Sequence, residues 1–229
     1  IMAEHELRGT NIFTDLSDDQ LDKILQLSKT RNYLKNSMII LEEEYGDIVF
    51  AIKTGTVKIT RVNDEGKEVI LALLGPGEIF GELAILDGEA RSANALAQED
   101  CKLILINREE FLDILQHNFK ISFRLMCELA KRLRKSDQQI EALSLSDAEH
   151  RIGVSLLNLA EDMGVIRKGR VTIQNLPFQQ DIANMAGTSR ETVSRVMKIL
   201  ENKNMISKVG HTLVIPDYTF FKQIFGKVF

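Results

Sequence analysis

The stretch FGELAILDGEARSA, residues 80–93, carries more information about the fold than any other part of the chain. It combines small residues suited to a tight turn with the acidic side chain of Glu82 and one cation, Arg91. A carboxylate beside an arginine supplies a hydrogen-bond acceptor and several donors within one short span. The stretch therefore predicts a loop that wraps a single phosphate group. The alternative is an ordinary surface salt bridge from Arg91 to Asp87 or Glu89.

The sequence on both sides of this loop predicts a compact β domain. Between about residues 31 and 107, short runs rich in Val, Ile and Leu alternate with turn residues. The runs cover residues 38–41, 48–52, 56–62, 69–74, 93–97 and 103–106. Short strands at this spacing are typical of an all-β barrel or jelly roll. A short amphipathic helix over residues 15–29, opened by Ser17 and Gln20 as a capping box, precedes them.

A long helical segment follows the predicted strands. From Asn107 to about Leu145 the chain contains neither Gly nor Pro and is rich in helix-forming residues. Six positions within it repeat at intervals of four or three residues: Leu125, Leu129, Leu133, Ser136, Ile140 and Leu143. This near-heptad spacing indicates a helix that packs lengthwise on a partner, and we expect a parallel dimer helix. The alternative is a helix that lies on its own barrel.

Residues 177–203 are predicted to form a helix, a tight turn and a second helix. Gly187 permits the turn, and Ser189 caps the second helix. The apolar face of the second helix consists of Val193, Val196, Met197 and Leu200. This pattern is typical of a helix-turn-helix motif, and the strand pair predicted at 206–208 and 212–215 resembles the wing of a winged helix.

The opposite face of the second helix carries side chains that can read bases. They are Arg190, Glu191, Ser194 and Arg195. Arginine can donate to guanine O6 and N7, and a carboxylate can accept from the cytosine amino group. The alternative is a surface ion pair between Glu191 and Arg195, but the turn and the wing favour DNA binding. Three nearby lysines could meet phosphates: Lys198, Lys203 and Lys208.

The charge distribution and the cysteine and histidine content of the chain limit the classes of function that are expected. Residues 1–145 carry 18 Lys and Arg against 25 Asp and Glu, whereas residues 146–229 carry 11 against 8, so only the second part suits nucleic acid. Cys101 and Cys127 form no paired motif, so we expect no disulfide framework, zinc site or other metal site. The scattered histidines and cysteines offer no catalytic constellation, so an enzyme is not expected. Without a predicted membrane span or secretion signal, a cytoplasmic protein is expected.

Over about residues 10–225 the sequence closely resembles the cyclic AMP receptor protein and FNR family of bacterial transcription regulators. FGEL at 80–83, with RSA at 91–93, is similar to the family's phosphate-binding cassette, and TSRETVSR at 188–195 is similar to its recognition helix. The resemblance implies an α+β fold in three parts: an N-terminal β-roll (jelly-roll) cyclic-nucleotide-binding domain, a long central dimerisation helix and a C-terminal winged helix-turn-helix domain. They are expected at residues 10–117, 118–145 and 146–229.

Carried over by position, the resemblance implies a cyclic nucleotide site. Gly81, Glu82 and Leu83 would line the nucleotide, and Glu82 would accept a hydrogen bond from the ribose 2′-hydroxyl. Arg91 and Ser92 would hold the cyclic phosphate. An anion partly buried in a barrel needs a paired cation, which supports this transfer.

The residues expected to contact the base match the family less closely than those expected to contact the phosphate. Ser136 and Asp137 take the places of a Thr-Ser pair that faces the adenine in the cyclic AMP receptor, one residue from each subunit. The aspartate is a departure, since it could accept from the adenine amino group, accept from the N1–H and N2 amino edge of guanine, or point to solvent. Cyclic AMP is the expected effector, with cyclic GMP, another small molecule or no ligand as alternatives.

The resemblance also implies the DNA contacts and the partners. The DNA-binding residues would be Ser189, Arg190, Glu191, Ser194, Arg195 and Lys198. The half-site should look like TGTGA, although Ser194 is closer to the FNR-type pattern, so a mixed preference is open. Double-stranded DNA, a cyclic nucleotide, a second copy of the chain and RNA polymerase are the expected partners, without a membrane.

Two other sensing branches of the family do not fit the sequence. An oxygen-sensing branch needs an N-terminal cysteine cluster, and no cysteine precedes Cys101. A haem-sensing branch needs axial ligands in the barrel, and no histidine lies in the strand region; the four are His5, His117, His150 and His211. Neither an iron–sulfur cluster nor haem is therefore expected.

Overall fold

The computed structural model describes Leu7 and residues 9–226, so that His5 and the last three residues of the predicted third domain lie outside the described residues. The helices are α1 (Asp18–Gln26), α2 (Glu82–Asp87), α3 (Arg108–His117), α4 (Phe119–Leu145), α5 (Ala148–Met163), α6 (Gln179–Ala186), α7 (Arg190–Asn202) and α8 (Tyr218–Phe225). The strands are β1 (Ser28–Tyr33), β2 (Met38–Ile40), β3 (Ile48–Thr54), β4 (Val57–Val62), β5 (Glu68–Leu74), β6 (Ile79–Phe80), β7 (Asn94–Ala97), β8 (Cys101–Asn107), β9 (Val165–Arg167), β10 (Arg170–Ile173), β11 (Ser207–Val209) and β12 (Thr212–Ile215).

The predicted β domain is confirmed as a roll of two antiparallel sheets, with strand orders β1-β8-β3-β6 and β2-β7-β4-β5. In the first sheet, Phe50 pairs with Leu105 and Ala51 with Ile104. Phe50 and Leu105 belong to one buried apolar cluster, whereas Ala51 and Ile104 belong to another. Because successive side chains of a strand point to opposite faces, β3 and β8 must be apolar on both faces. This explains why they read as continuous apolar runs.

The predicted first helix forms, but it is shorter than expected. The hydroxyl of Ser17 accepts from the N–H of Gln20, and Oε1 of Gln20 accepts from the N–H of Ser17 at 3.1 Å, so the capping box is present. Helix α1 then runs over Asp18–Gln26 rather than 15–29. Its apolar face contributes Leu21 and Ile24 to the core of the roll.

The long helical segment is interrupted once, at Asn118. The side-chain amide of Asn118 donates to the carbonyl oxygen of Ile114 at 3.0 Å, and its backbone leaves the helical region. An asparagine that bonds to nearby backbone in this way competes with helix continuation. The segment therefore divides into α3 and the 27-residue helix α4.

The predicted seam of α4 is wrong in its first half. Leu125 is buried, and Leu129 packs against the same apolar cluster of the β-roll, so these two leucines face their own domain. An apolar stripe of the helix is exposed, and it includes three residues of the predicted seam: Phe119, Phe123, Met126, Leu133, Ile140 and Leu143. From Phe119 to Ile140 the spacing of 4, 3, 7 and 7 residues is a heptad pattern. The helix thus lies on its own barrel and also presents an apolar stripe.

The chain divides into two compact units, the second of which holds Gly66–Ile70 and the residues from Arg132 onward. In this unit the sheet order is β11-β12-β10-β9, and β11 and β12 form the predicted strand pair of the wing. Helix α5 begins after Asp147, whose carboxylate accepts from the N–H of His150 at 2.8 Å. Helices α6 and α7 supply the predicted helix-turn-helix, so the α+β fold class is confirmed.

Replacing Leu125 with alanine tests the assignment of this side chain to the β-roll core. We expect Leu125→Ala to lower the free energy of unfolding by about 2–5 kcal/mol, because a buried leucine leaves a cavity. Leu34→Ala is the matched control, since Leu34 is exposed in the same unit, and its expected cost is within about 0.5 kcal/mol. Denaturant unfolding measures both values. Equal effects would mean that Leu125 does not belong to the core.

Candidate nucleotide pocket and DNA-reading helix

The predicted phosphate loop is a turn between β6 and the short helix α2. Gly81 ends the strand in the left-handed conformation, with φ of 79°. A Cβ atom at this position would lie 2.7 Å from Nη1 of Arg91 and 3.2 Å from the carbonyl oxygen of Ile48. Both the backbone conformation and the lack of space therefore require glycine.

Arg91 is the centre of this region, and only 6% of its surface is exposed. Nη1 donates to the carbonyl oxygen of Gly81 at 2.6 Å, and Nη2 donates to that of Ile48 at 2.8 Å. The backbone is held as well, because the N–H of Arg91 donates to Glu44 O and its carbonyl accepts from Glu43 N, both at 2.9 Å. Arg91 is thus a fixed, buried cation rather than the exposed partner of a surface salt bridge.

Two carboxylates oppose the cost of burying this charge. Burial lowers the pKa of the Arg91 guanidinium, and the carboxylates of Asp47 and Glu82 act in the opposite direction. Glu82 is itself buried, with 2% of its surface exposed, in the first turn of α2. The guanidinium charge is therefore partly offset by carboxylates within the protein.

Of the predicted ligand residues in the β-roll, three lie together in the structure: Gly81, Glu82 and Arg91. Leu83 and Ser92 follow Glu82 and Arg91 directly in the chain, and both are exposed. Their contact with a nucleotide stays a prediction.

Two residues of this site were not predicted. A Cβ atom at Gly46 would lie 2.5 Å from Nη2 of Arg91, so this glycine makes room for the guanidinium. Asp47 follows it, and its carboxylate raises the pKa of Arg91 more than the carboxylate of Glu82 does. In the sequence Gly46 marks only a turn, and Asp47 ends an acidic run that reads as a solvated loop. Only the pairing of strands brings them to Arg91.

The predicted base-facing pair lies on α4 in the second unit. Ser136 and Asp137 are both exposed. Both lie within one turn of the exposed residues Leu133 and Ile140, and Ser136 is one heptad before the exposed Leu143, so the second half of the predicted seam is open to solvent. Asp137 adds a charge beside the Ser136 hydroxyl on this surface, and the role of both residues in binding a base stays a prediction.

The helix-turn-helix is built as its sequence pattern predicted. Ser189 accepts from the N–H of Thr192 at 3.2 Å and caps α7. The predicted apolar face of α7 is buried: Val193, Val196, Met197 and Leu200. From α6, Ile182 and Ala183 are buried as well, and the small side chain of Ala183 allows α6 and α7 to approach closely.

The opposite face of α7 is open to solvent along its length. The exposed residues include all six predicted DNA contacts: Ser189, Arg190, Glu191, Ser194, Arg195 and Lys198. The Glu191 carboxylate bonds to its own backbone N–H and to Ser189, and these bonds lower its pKa, with a smaller effect from Arg190. Glu191 is therefore held at the start of the helix as an ionised acceptor, and the alternative ion pair with Arg195 is not among its contacts with the described residues.

Within the described residues, the helices are too short or too polar to cross a membrane. The same part of the chain shows no group of three or more His, Cys, Asp or Glu side chains placed to hold a metal ion.

Comparison with known proteins matches each unit to a domain family. The cyclic nucleotide-binding domain family matches residues 30–118, and the Crp-like helix-turn-helix domain family matches residues 150–224. The cyclic AMP receptor protein of Thermus thermophilus is 32% identical over 218 residues, which cover 95% of this chain and 98% of that protein. The cAMP-activated global transcriptional regulator CRP of Escherichia coli is 32% identical over 87% of this chain and 95% of its own.

Solved structures agree with this match. The catabolite activator protein of Thermus thermophilus is 30% identical over 95% of this chain and 99% of that chain, with a TM-score of 0.54. FixK2 from Bradyrhizobium japonicum, 22% identical over 88% of this chain and 99% of its own, shows the same fold with a TM-score of 0.76. A cyclic nucleotide-binding domain followed by a Crp-like helix-turn-helix domain defines a class of transcription regulators. The chain belongs to the cyclic AMP receptor protein and FNR family of these regulators.

The crowding at Gly81 can be tested against a second glycine of similar backbone. Gly66 also has a left-handed φ, 77°, but a Cβ atom there would meet nothing within 4 Å. We expect Gly81→Ala and Gly66→Ala each to cost about 1 kcal/mol of stability for the strained backbone. Only Gly81→Ala should also displace Arg91 and weaken cyclic nucleotide binding. Denaturant unfolding and calorimetric titration separate the effects; equal ligand affinity in both variants would contradict the assigned crowding.

Proposed function

We propose that this protein is a homodimeric transcription regulator that binds a cyclic nucleotide, with cyclic AMP as the expected one, in each β-roll. The observation that carries the proposal is the buried guanidinium of Arg91, held by the carbonyl oxygens of Gly81 and Ile48. Two glycines leave space for it, and two carboxylates balance its charge. These features fit a site that receives one phosphate of single negative charge.

The residues of the cassette would divide the work of holding the nucleotide. Arg91 would pair with the phosphate, and the Ser92 hydroxyl would donate to one of its oxygens. Glu82 would accept from the ribose hydroxyl. When bound, the nucleotide would supply an anion that pairs with Arg91 and a ribose hydroxyl that donates to Glu82. Leu83, exposed next to Glu82, would cover the sugar.

The exposed stripe of α4 supports a second copy of this chain as its partner. A 27-residue helix with an apolar heptad stripe is the feature that a parallel coiled coil requires. In such a dimer Asp137 would lie near its counterpart at the seam, where it could accept from the amino edge of a base. Adenine and guanine both offer such donors, so Asp137 accommodates cyclic AMP and cyclic GMP.

The DNA-binding function rests on the exposed face of α7. In a dimer the two recognition helices would lie about 34 Å apart, one turn of the duplex, so the site read would be two-fold symmetric. Arg190, Glu191 and Arg195 would read bases of a TGTGA-like half-site, with Ser194 permitting an FNR-type mixture, and Lys198 would contact phosphate. Nucleotide binding would shift a pre-existing equilibrium toward the spacing that fits DNA. We place this regulator in the cytoplasm with RNA polymerase as a partner.

One observation favours a second candidate, a regulator that is constitutive or answers to another ligand. The Asp47 carboxylate already offsets part of the charge of Arg91 without any added anion. Calorimetric titration with cyclic AMP and cyclic GMP distinguishes the two candidates. Heat from neither nucleotide at micromolar concentration would favour the second candidate.

Replacing Arg91 with glutamine tests the phosphate contact. We expect Arg91→Gln to lose the cyclic nucleotide response of DNA binding, because glutamine has no charge to pair with the phosphate. Arg61→Gln is the matched control, since Arg61 pairs with Glu42 on the surface of the same domain. Nucleotide titration of DNA affinity at fixed salt measures both. Unchanged nucleotide affinity in Arg91→Gln, with the fold intact, would refute the contact.

Replacing Glu191 tests base reading by the recognition helix. We expect Glu191→Ala to relax discrimination at one base pair of each half-site by about 1–3 kcal/mol. Lys198→Ala is the comparison, because loss of a phosphate contact should weaken binding to all sequences about equally and reduce the salt dependence. Competition binding with duplexes that each carry one base-pair substitution measures the discrimination at every position of the half-site. A uniform loss in Glu191→Ala would assign this residue a structural role instead.

A further inference from the structure

The wing of the second unit and the start of the recognition helix border a groove of about 480 Å³. Its polar and aromatic lining comes from three places: Phe178, Gln179 and Gln180 at the start of α6, Arg190 on α7, and Lys208 and His211 on the wing. The groove therefore adjoins the helix proposed to enter the DNA.

The ring of His211 is held in a defined place on this groove. It packs edge-on against the ring of Phe178, with ring centroids 5.9 Å apart. The backbone is fixed too, because the carbonyl oxygen of His211 accepts from the N–H of Leu176 at 2.8 Å. Since Phe178 is largely exposed, this contact restrains the imidazole without burying it.

The groove around the ring of His211 carries more positive than negative charge. The charged side chains that line the groove, Arg190 and Lys208, are both positive. The acidic residues of α6 and α7 do not line it: Asp181 is buried, Glu191 bonds to its own N–H and to Ser189, and Glu201 lies in the last turn of α7, at the end remote from Arg190. The ring therefore shares its groove with two cations, and a phosphate group that enters the groove would offset their charge.

We propose that His211 is a proton-linked phosphate contact, so that DNA binding takes up a proton at each wing. The inference rests on the proposed DNA-binding function and adds a residue and a pH dependence to it. A DNA phosphate in the groove offsets the two cations and favours the charged imidazole, which then donates to a phosphate oxygen. Gln179 and Gln180 supply neutral donors beside it.

The direction of the pH effect follows from this linkage. Histidine is the side chain whose charge ordinarily changes between pH 5 and 8. Because the bound state favours the protonated ring, DNA affinity rises as pH falls from 8 to 6. Each added phosphate contact steepens the dependence of log K on log salt by about 0.9, so a dimer should show about 1.8.

The experiment measures DNA affinity of the full chain at pH 6 and pH 8 over a range of salt concentrations, with cyclic AMP saturating. The duplexes are one with symmetric TGTGA half-sites and one with that sequence scrambled. We expect affinity at pH 6 to exceed that at pH 8 by about tenfold per half-site, and the salt slope to be steeper at pH 6. A phosphate contact carries no sequence information, so both duplexes should show the effect.

Three variants assign the effect to His211. His211→Asn should lose the pH dependence and keep the shallow salt slope, whereas His211→Lys should show the steep slope at both pH values. His117→Asn is the matched control, since His117 is an exposed histidine in the other unit, and it should behave like the unmodified protein. A pH dependence that survives in His211→Asn would overturn the inference. Failure of the unmodified protein to bind either duplex would instead contradict the proposed function.

Discussion

The burial of one guanidinium inside the β-roll is the constraint on which the rest of the first unit depends. A charge removed from water is costly unless its hydrogen bonds and counter-charges are replaced. Two carbonyl oxygens, those of Gly81 and Ile48, and two carboxylates supply that replacement for Arg91. The tight turn at Gly81, the space at Gly46 and the buried position of Glu82 follow from this need. The site is therefore organised before a ligand arrives.

In the proposed function, a buried cation in one unit and exposed cations in the other would contact phosphate, so the two binding reactions should differ in their dependence on salt. Arg91 has lost most of its water on folding, so its pairing with an anion is screened weakly by added salt. Arg190, Lys198 and Lys208 are exposed, and their contacts with DNA phosphates would release counterions condensed on the DNA, so their contribution would fall steeply with salt. A buried cation thus suits a small, specific effector, whereas an exposed set suits a long polyanion.

The sequence predicts most of the fold because its signals are local. Strand runs, capping residues and the turn at Gly187 each depend on a few neighbouring residues, and most of the predicted elements form close to where they were expected. The strands β1, β6, β9 and β10 were not predicted, and the break at Asn118 has a local cause in its own side-chain hydrogen bond. Two further failures have non-local causes. Asp47 reaches Arg91 only through the packing of the roll, and the seam of α4 was wrong because the helix carries two apolar stripes. One contains Leu125 and the other Met126, and both repeat at heptad-like intervals.

The two apolar stripes of α4 also explain why the spacing of apolar residues in the sequence did not identify the exposed face of this helix. Heptad spacing identifies a face only when a single face is apolar. Once Leu125 and Leu129 are assigned to the core of the roll, the remaining exposed apolar positions define a surface that includes Asp137 as well as Ser136. A charged residue at such a position destabilises a dimer that lacks a donor opposite it. In the proposed dimer, association through α4 and occupation of the base site would be linked through the same carboxylate, because a base that donates to Asp137 would offset the cost of burying it.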